Sequence, residues 1–218
     1  MCGRFSQIAS RQTYARLLGA HFSGEQPPLF NAAPSMSLAV CRLGSSAERQ
    51  LISMRWGLIP HWWRREKLPT HTINARAETV AEKPMFRDAF RYRHCLVPAD
   101  GFYEWQARPG GKQPYYIRRA DGEPMMLAGL WEAWRGPEGR VESFTIIVTR
   151  ANDRIRPIHD RMPVIVERED WDRWLHPSPS DGTLLEPSAA KLEIHPVSRA
   201  VNNPRNNDPS LIEPVEAG

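Results

Sequence analysis

Hydrophobic and polar positions change over in short blocks along this chain, and the blocks predict many brief elements rather than a few long ones. Ser10–Leu18 reads as a helix, with Tyr14, Leu17 and Leu18 on one face and Gly19 as its stop. Two strand-like runs follow, Ser37–Leu43 and Gln50–Trp56, joined by a polar Gly44-Ser45-Ser46 turn. A second helix begins at Pro84, where Phe86 and Phe90 stand four residues apart. The chain then becomes strand-rich: His94–Ala99, Phe102–Gln106, Pro114–Arg119, Met125–Trp134 and Val141–Arg150. Asp100-Gly101, Pro109-Gly110-Gly111, Asp121-Gly122 and Gly136-Pro137 supply turn chemistry between them. Met162–Val166 is a further strand, Arg168–Leu175 a helix anchored by Trp171 and Trp174, and Leu192–Val197 a last strand. Without repeats, low-complexity blocks or linkers, the pattern predicts one α+β domain over 1–218. Its expected form is a predominantly antiparallel, barrel-like sheet with short peripheral helices and an irregular tail beyond about 205.

Composition narrows the class. The 218 residues are 41% hydrophobic and 25% charged, ordinary globular usage that excludes disordered, collagen-like and coiled-coil chains. Twenty prolines are nearly double the average of about 5%, in keeping with short elements joined by turns. No uncharged apolar run approaches the roughly 18–20 residues that span a bilayer, and Arg4, Arg11 and Arg16 interrupt the start without forming a signal peptide. Cys2, Cys41 and Cys95 are an odd number without metal-ligand spacing. Cys41 and Cys95 lie in apolar runs and read as buried strand residues, so the expectation is no disulfide and a reducing cytoplasm.

Charge adds a location. Between Arg55 and Arg93 there are nine Lys/Arg against four Asp/Glu, whereas the rest of the chain holds 20 against 21. The whole excess behind the net charge of +4 therefore sits in one segment, which also carries Trp56, Trp62 and Trp63. Cations interleaved with exposed flat rings suit single-stranded nucleic acid, which offers phosphates and unstacked bases. A solvated basic face beside a Trp-rich core is the alternative.

Four stretches look chemically equipped. Met1 precedes Cys2, and removal of the initiator would leave an N-terminal Cys. Such a 1,2-aminothiol has an amine near about 7.7–8.0 and a thiol near about 8.5, so reactive forms of both are within reach of neutral pH. It can act as a thiolate nucleophile, or condense with an aldehyde to a Schiff base that the thiol closes into a thiazolidine. In Asp100–Trp105, Glu104 sits among aromatics, a setting that raises a carboxyl pKa toward acid/base use; an outward strand position is the alternative. His159, in Ile158–Pro163, could move a proton near neutral pH or bond a loop. In Ile73–Thr79, Asn74 could bind a ligand oxygen and Arg76 a phosphate, or both could cap a turn; no helical or strand period is visible there.

Taken in order, the motifs are specific. Met1–Phe5, Asn31-Ala32-Ala33-Pro34, Arg55–Pro60, Asn74–Thr79, Ala99–Trp105, His159–Pro163 and His195–Val201 together resemble the SOS response-associated peptidase (SRAP) family of abasic-site-shielding proteins. The resemblance implies binding to single-stranded DNA, or a single-strand/duplex junction, at an abasic site, with Cys2 capturing the sugar aldehyde as a thiazolidine after Met1 removal. It also implies catalytic roles for Asn74 (orienting the sugar or the terminus), Glu104 (Met1 removal and acid/base work) and His159 (proton transfer and crosslink reversal). Arg4, Arg76 and Arg161 would hold phosphates, and Trp62 and Trp63 would stack on or wedge against a base. No metal or organic cofactor and no membrane is expected, and the protein would act as a cytoplasmic monomer, nucleoid-associated on DNA. Two other classes remain at this point. Cys2-Gly3 also opens N-terminal-nucleophile amidotransferases, and a non-catalytic nucleic-acid reader would leave Cys2 incidental.

Overall fold

The computed structural model describes residues 2–137, 139–177 and 181–216. In chain order the elements are β1 (Phe5–Gln7), α1 (Arg11–Leu18), β2 (His21–Phe22), β3 (Leu29–Ala32), β4 (Ser37–Leu43), β5 (Arg49–Trp56) and β6 (Asn74–Arg76). There follow α2 (Arg87–Tyr92), β7 (His94–Ala99), β8 (Gly101–Arg108), β9 (Gly111–Arg119), β10 (Met125–Gly136) and β11 (Gly139–Arg150). The last are β12 (Arg161–Pro163), β13 (Ile165–Val166), α3 (Trp171–Leu175) and β14 (Leu192–Pro196).

Two sheets form. In the larger, β5, β4, β7, β10 and β11 are successive neighbours, and β11 returns to pair with β5, so these five strands close into a barrel. The smaller runs β14-β9-β8-β1-β3 and is antiparallel throughout. Period-2 alternation explains how one set of strands serves two cores. Val40, Met54, Cys95, Val97, Leu127, Phe144, Ile146 and Val148 join Phe5, Phe102 and Ile117 of the smaller sheet in one cluster. Their neighbours Ala39, Leu51, Leu96, Ala128 and Ile147 join Tyr14 and Leu18 of α1, Ala89 of α2 and Trp171 and Trp174 of α3 in another. The expected single α+β domain, a predominantly antiparallel barrel-like sheet with short helices outside it, is the observed fold, and the pair that closes the barrel, β11 with β5, is parallel.

Local chemistry sets the joints. Ser10 caps α1 by accepting from the Thr13 N–H at 3.1 Å, and Gly19 ends it at φ 59°, a left-handed value that favours glycine. Asp100-Gly101 is not the hairpin turn its residues suggest: β7 and β8 belong to different sheets, and this dipeptide carries the chain across. The Asp100 carboxylate instead accepts from the Ile8 and Ala9 N–H groups and the Tyr14 hydroxyl, fixing the exit of β1. Gly101 has no room for a side chain, since a Cβ there would stand 2.3 Å from Tyr116 Cζ.

Other boundaries move for physical reasons. Met162–Val166 splits at Val164, because β12 pairs with β11 while β13 pairs with β10. Val164 makes the crossing, donating to Ile147 O and accepting from Ala128 N. The segment expected to be helical from Arg168 opens with a 3-10 turn, Arg168–Asp170, and the one expected from Pro84 enters α2 only at Arg87. Residues 204–216 are irregular apart from the 3-10 turn Pro209–Ile212, yet this segment docks: Leu211 is fully buried beside Tyr103, Tyr116, Val197 and Val201. Cys41 and Cys95 are buried and unbridged, as expected.

Candidate active site

Cys2 precedes β1 and is fully buried in the cluster shared by the two sheets. Glu104 lies on β8 two residues from Phe102, hence on the same strand face, and is 1% exposed. It points inward, and the outward alternative is excluded. Asn74 belongs to a strand after all: β6 runs parallel to β11 with Asn74 beside Ile146 and Arg76 beside Val148. Ile146 and Val148 face the Cys2 cluster, so this register turns Asn74 toward it and Ala75 away, into the helix-covered core. Both polar atoms of the buried Asn74 amide lack a hydrogen-bond partner among the described residues.

His159 comes from the turn before β12. Its Nδ1 accepts from the Arg161 backbone N–H at 2.9 Å, so the proton of the neutral ring sits on Nε2, which stands 3.9 Å from Glu104 Oε2. The Asp160 carboxylate is 3.0 Å from Nδ1. Hydrogen bonds at catalytic groups often tighten only around substrate, so this spacing leaves a relay between the two side chains available.

Burial shapes the titration of all three groups. It pushes Glu104 up from 4.5 to about 7, leaving both protonation states populated near neutrality. It lowers His159 below its ordinary value, favouring the neutral ring. It also drives the Cys2 thiol far above its ordinary range, with the nearby Glu104 charge adding to the effect. In the chain that still carries Met1 the sulfur is held as a thiol inside this core, because a buried anion beside a carboxylate is unfavourable.

The basic and aromatic residues separate into distinct settings. Arg4 donates to Asn31 Oδ1 at 3.0 Å and Val201 O at 2.8 Å, tying β1 to the tail while its charge meets no carboxylate among these contacts. Arg161 pairs with Glu78, and Arg76 is exposed, its charge helping to hold Glu78 below the usual carboxylate range. Trp56 is not an exposed ring: it is fully buried, donates to Ile73 O at 2.9 Å and packs on Phe5 and Phe144. Trp62 is 38% exposed and Trp63 half-buried, with ring centroids 6.0 Å apart. They ride on the loop from β5 to β6, so this connection carries the exposed rings and ends at Asn74.

The residues that hold this loop escaped the sequence reading. Trp134 donates to Trp63 O at 2.8 Å, and the buried Glu132 binds Arg93 at 2.6 Å with His61 at 3.4 Å. The available signal was Glu132 itself, a lone acid inside the apolar run Met125–Trp134. Asp160 was likewise visible only as a neighbour of His159. Among the described residues no group of three or more His, Cys, Asp and Glu side chains could hold a metal. Met1 lies outside the described residues.

Cys2, Asn74 and Glu104 thus face one cluster, with His159 at its edge against Glu104. The chain is similar to known proteins over nearly its whole length. The chain is 40% identical over 223 residues to the abasic site processing protein YoqW of Bacillus subtilis, covering 98% of this chain and 99% of that protein. It is 34% identical to the abasic site processing protein YedK of Escherichia coli, covering 99% and 100% respectively. A crystal structure of a Bacteroides thetaiotaomicron protein superposes with a TM-score of 0.88 at 28% identity, covering 98% of this chain and 100% of that one. The family model for SOS response associated peptidase (SRAP) matches residues 1–204, and with it the chain belongs to the SRAP family.

Proposed function

We propose that this protein processes abasic sites in DNA by capturing the opened sugar aldehyde on Cys2, once Met1 has been removed. The observation that carries the reading is the convergence of Cys2, Glu104 and Asn74 on one buried cluster, with Glu104 poised at about 7 and His159 beside it. The relatives named abasic site processing proteins supply the substrate class.

In the first step the Cys2 amine adds to the aldehyde carbon, forming a carbinolamine. Protonated Glu104 delivers a proton to the departing hydroxyl, one water leaves, and a protonated Schiff base remains. The Cys2 sulfur then adds to the carbon of the protonated imine, whose nitrogen keeps its proton as the ring N–H, while the thiol proton passes to ionised Glu104 and restores the acid. The product is a thiazolidine, and the overall loss is one water. A thiol whose pKa is raised by burial suits this order, because its proton departs only as the carbon–sulfur bond forms. Neutral His159, holding its proton on Nε2, exchanges protons with Glu104 and assists reversal. The unpartnered Asn74 amide offers a donor and an acceptor to the sugar hydroxyls. Arg76 and Arg161 attract flanking phosphates of a single strand or a junction, Arg4 adds its charge from behind β1, and Trp62 and Trp63 offer faces to bases.

The test is intact-mass measurement of the processed protein before and after incubation with an oligonucleotide containing one abasic site. The expected product is protein plus oligonucleotide less one water, absent with intact DNA. A protein that still carries Met1 and forms this adduct equally fast, or one that hydrolyses glutamine and never gains the mass, overturns the proposal.

A further inference from the structure

Trp56 is fully buried at the end of β5, and both its backbone groups are engaged there: its N–H donates to Met36 O and its carbonyl accepts from the Ser35 N–H, each at 2.9 Å. Beyond it the chain leaves the edge of β11 and rejoins that edge almost where it left. Trp56 stands beside Phe144, and Asn74 beside Ile146. Two bonds close the base of the excursion. The Leu58 N–H donates to Thr72 O at 3.2 Å, and the Trp56 indole Nε1–H reaches Ile73 O, 17 residues on, at 2.9 Å. The same Ile73 carbonyl accepts from the Ile146 N–H at 3.1 Å. One oxygen, on the residue immediately before Asn74, is therefore pinned by β5 and by β11 together.

That pin matters because Asn74 has little else to hold it. β6 is three residues long, and both polar atoms of the Asn74 side chain lack a hydrogen-bond partner among the described residues. The direction of the amide is set by the backbone of β6 and not by bonds of its own. The indole also packs edge-on against Phe5, with ring centroids 4.9 Å apart at 65°, and lies nearly parallel to Phe144 at 6.3 Å and 9°. Phe5 opens β1, three residues after Cys2. A single rigid side chain thus touches the strand that follows Cys2 and the residue that precedes Asn74.

From these contacts we infer that Trp56 is a positioning residue for aldehyde capture: a buried clasp whose indole N–H fixes β6 against β1 and so holds the Asn74 amide in register with Cys2. It meets neither DNA nor the reacting atoms and acts through Asn74. The inference rests on the abasic-site reading and adds to it the residue that aligns its two reacting elements. The tolerance is narrow, since a misplacement of about 1 Å at a reacting group can cost about 10²-fold in rate.

The experiment is a double-mutant cycle with Asn74. Trp56→Phe keeps a buried ring without the donor. Trp56→3-benzothienylalanine, in which sulfur replaces the N–H, keeps the full shape and serves even where the phenyl ring folds poorly. Covalent capture of an oligonucleotide with one abasic site is timed per folded molecule, for each variant alone and combined with Asn74→Ala. Each single change should slow capture by about 10- to 100-fold. In the Asn74→Ala background, loss of the Trp56 donor should add less than about twofold. Trp174→Phe removes a matching indole bond, to Cys95 O at 2.9 Å, in the helix-covered core, and should lower stability with capture unchanged. Capture at the wild-type rate in both Trp56 variants, or losses that multiply with Asn74→Ala, overturns the proposal. A second readout needs no DNA. In both Trp56 variants the Ile146 and Ala77 N–H groups, which bond Ile73 O and Val148 O, should exchange with solvent faster than in the wild type, while the amides of β7 keep their rates. Wild-type exchange at those two groups overturns the clasp whether or not DNA is captured. Faster exchange in a protein whose wild type captures no abasic DNA supports the clasp and sinks the aldehyde chemistry alone.

Discussion

Glu104 is the residue on which rate and stability should both depend. Burial raises its pKa from 4.5 to about 7, so the folded protein binds this proton more tightly than the unfolded chain does. The sign follows: its contribution to stability is complete below 4.5 and is lost as pH rises through about 7. His159 runs the other way. Lowered by burial, it favours the fold above its ordinary value and loses that contribution as pH falls through its depressed one. Denaturant melts across this window should show Glu104→Gln losing less stability than the wild type as pH rises; an unchanged slope would place the carboxyl in water. The same substitution, and His159→Ala, should slow crosslinking by about 10²–10⁴-fold with a smaller effect on DNA affinity. Cys2→Ala keeps an N-terminal amine but no thiol, so its adduct should survive only after borohydride reduction. A heat-stable adduct without reduction would rule out the thiazolidine. Much of this was legible: Cys2, Glu104 and His159 stand in recognisable motifs. What was not legible is burial. Aromatics flank Glu104 on both sides, hiding which strand face is inward, and two residues at a chain end give no sign that the thiol will be enclosed.

Among the elements, the long strands were readable and the short ones were not. Ser37–Leu43 and His94–Ala99 coincide with β4 and β7 because their apolar runs are bounded by turn residues. β1 and β6 have three residues each, too few for any period to declare itself, yet they position Cys2 and Asn74. β6 exists through tertiary pairing with β11, which a local pattern does not encode. The basic segment likewise divided on folding into a buried ring, Trp56, and exposed groups at its far side, Trp62 and Arg76. This division yields a contrast in salt dependence. Arg76→Ala should weaken single-strand binding regardless of sequence and flatten the log–log salt slope by about 0.7, the contribution of one phosphate. Trp63→Ala should cost about 1–3 kcal/mol while leaving the slope nearly intact. Salt titrations of both variants decide it. Equal slopes for Arg76→Ala and wild type would place the phosphate path elsewhere.

For the whole molecule, the tail belongs to the scaffold of the site. Leu211 is fully buried against Tyr103 and Tyr116, the outward-facing neighbours of the strand residues that carry Glu104's side of the smaller sheet. Tyr103 immediately precedes Glu104, and its hydroxyl donates to Phe30 O at 2.6 Å. Arg4 and Asn31 bond the Val201 carbonyl, and the Asn31 amide also reaches Asn203 and Asn206 at 3.1 and 3.0 Å. The two ends of the chain therefore brace β8 and β1 together, directly behind Glu104 and Cys2. Sequence composition showed only an Asn/Pro-rich tail, because Leu211, Ile212 and Val215 among polar residues give no period and the partner surface of Leu211 is formed by distant strands. Leu211→Ala leaves a cavity among Tyr103, Tyr116, Val197 and Val201 and should cost about 2–5 kcal/mol. In a chain of this size each 1 kcal/mol shifts the melting temperature by about 2–4 °C, so a loss of several degrees is readily measured by thermal unfolding. The substituted side chain touches neither DNA nor the reacting groups, so crosslinking per folded molecule should fall only where loosening of β8 reaches Glu104. A shift of less than one degree would mean that the tail lies on the surface without supporting the site.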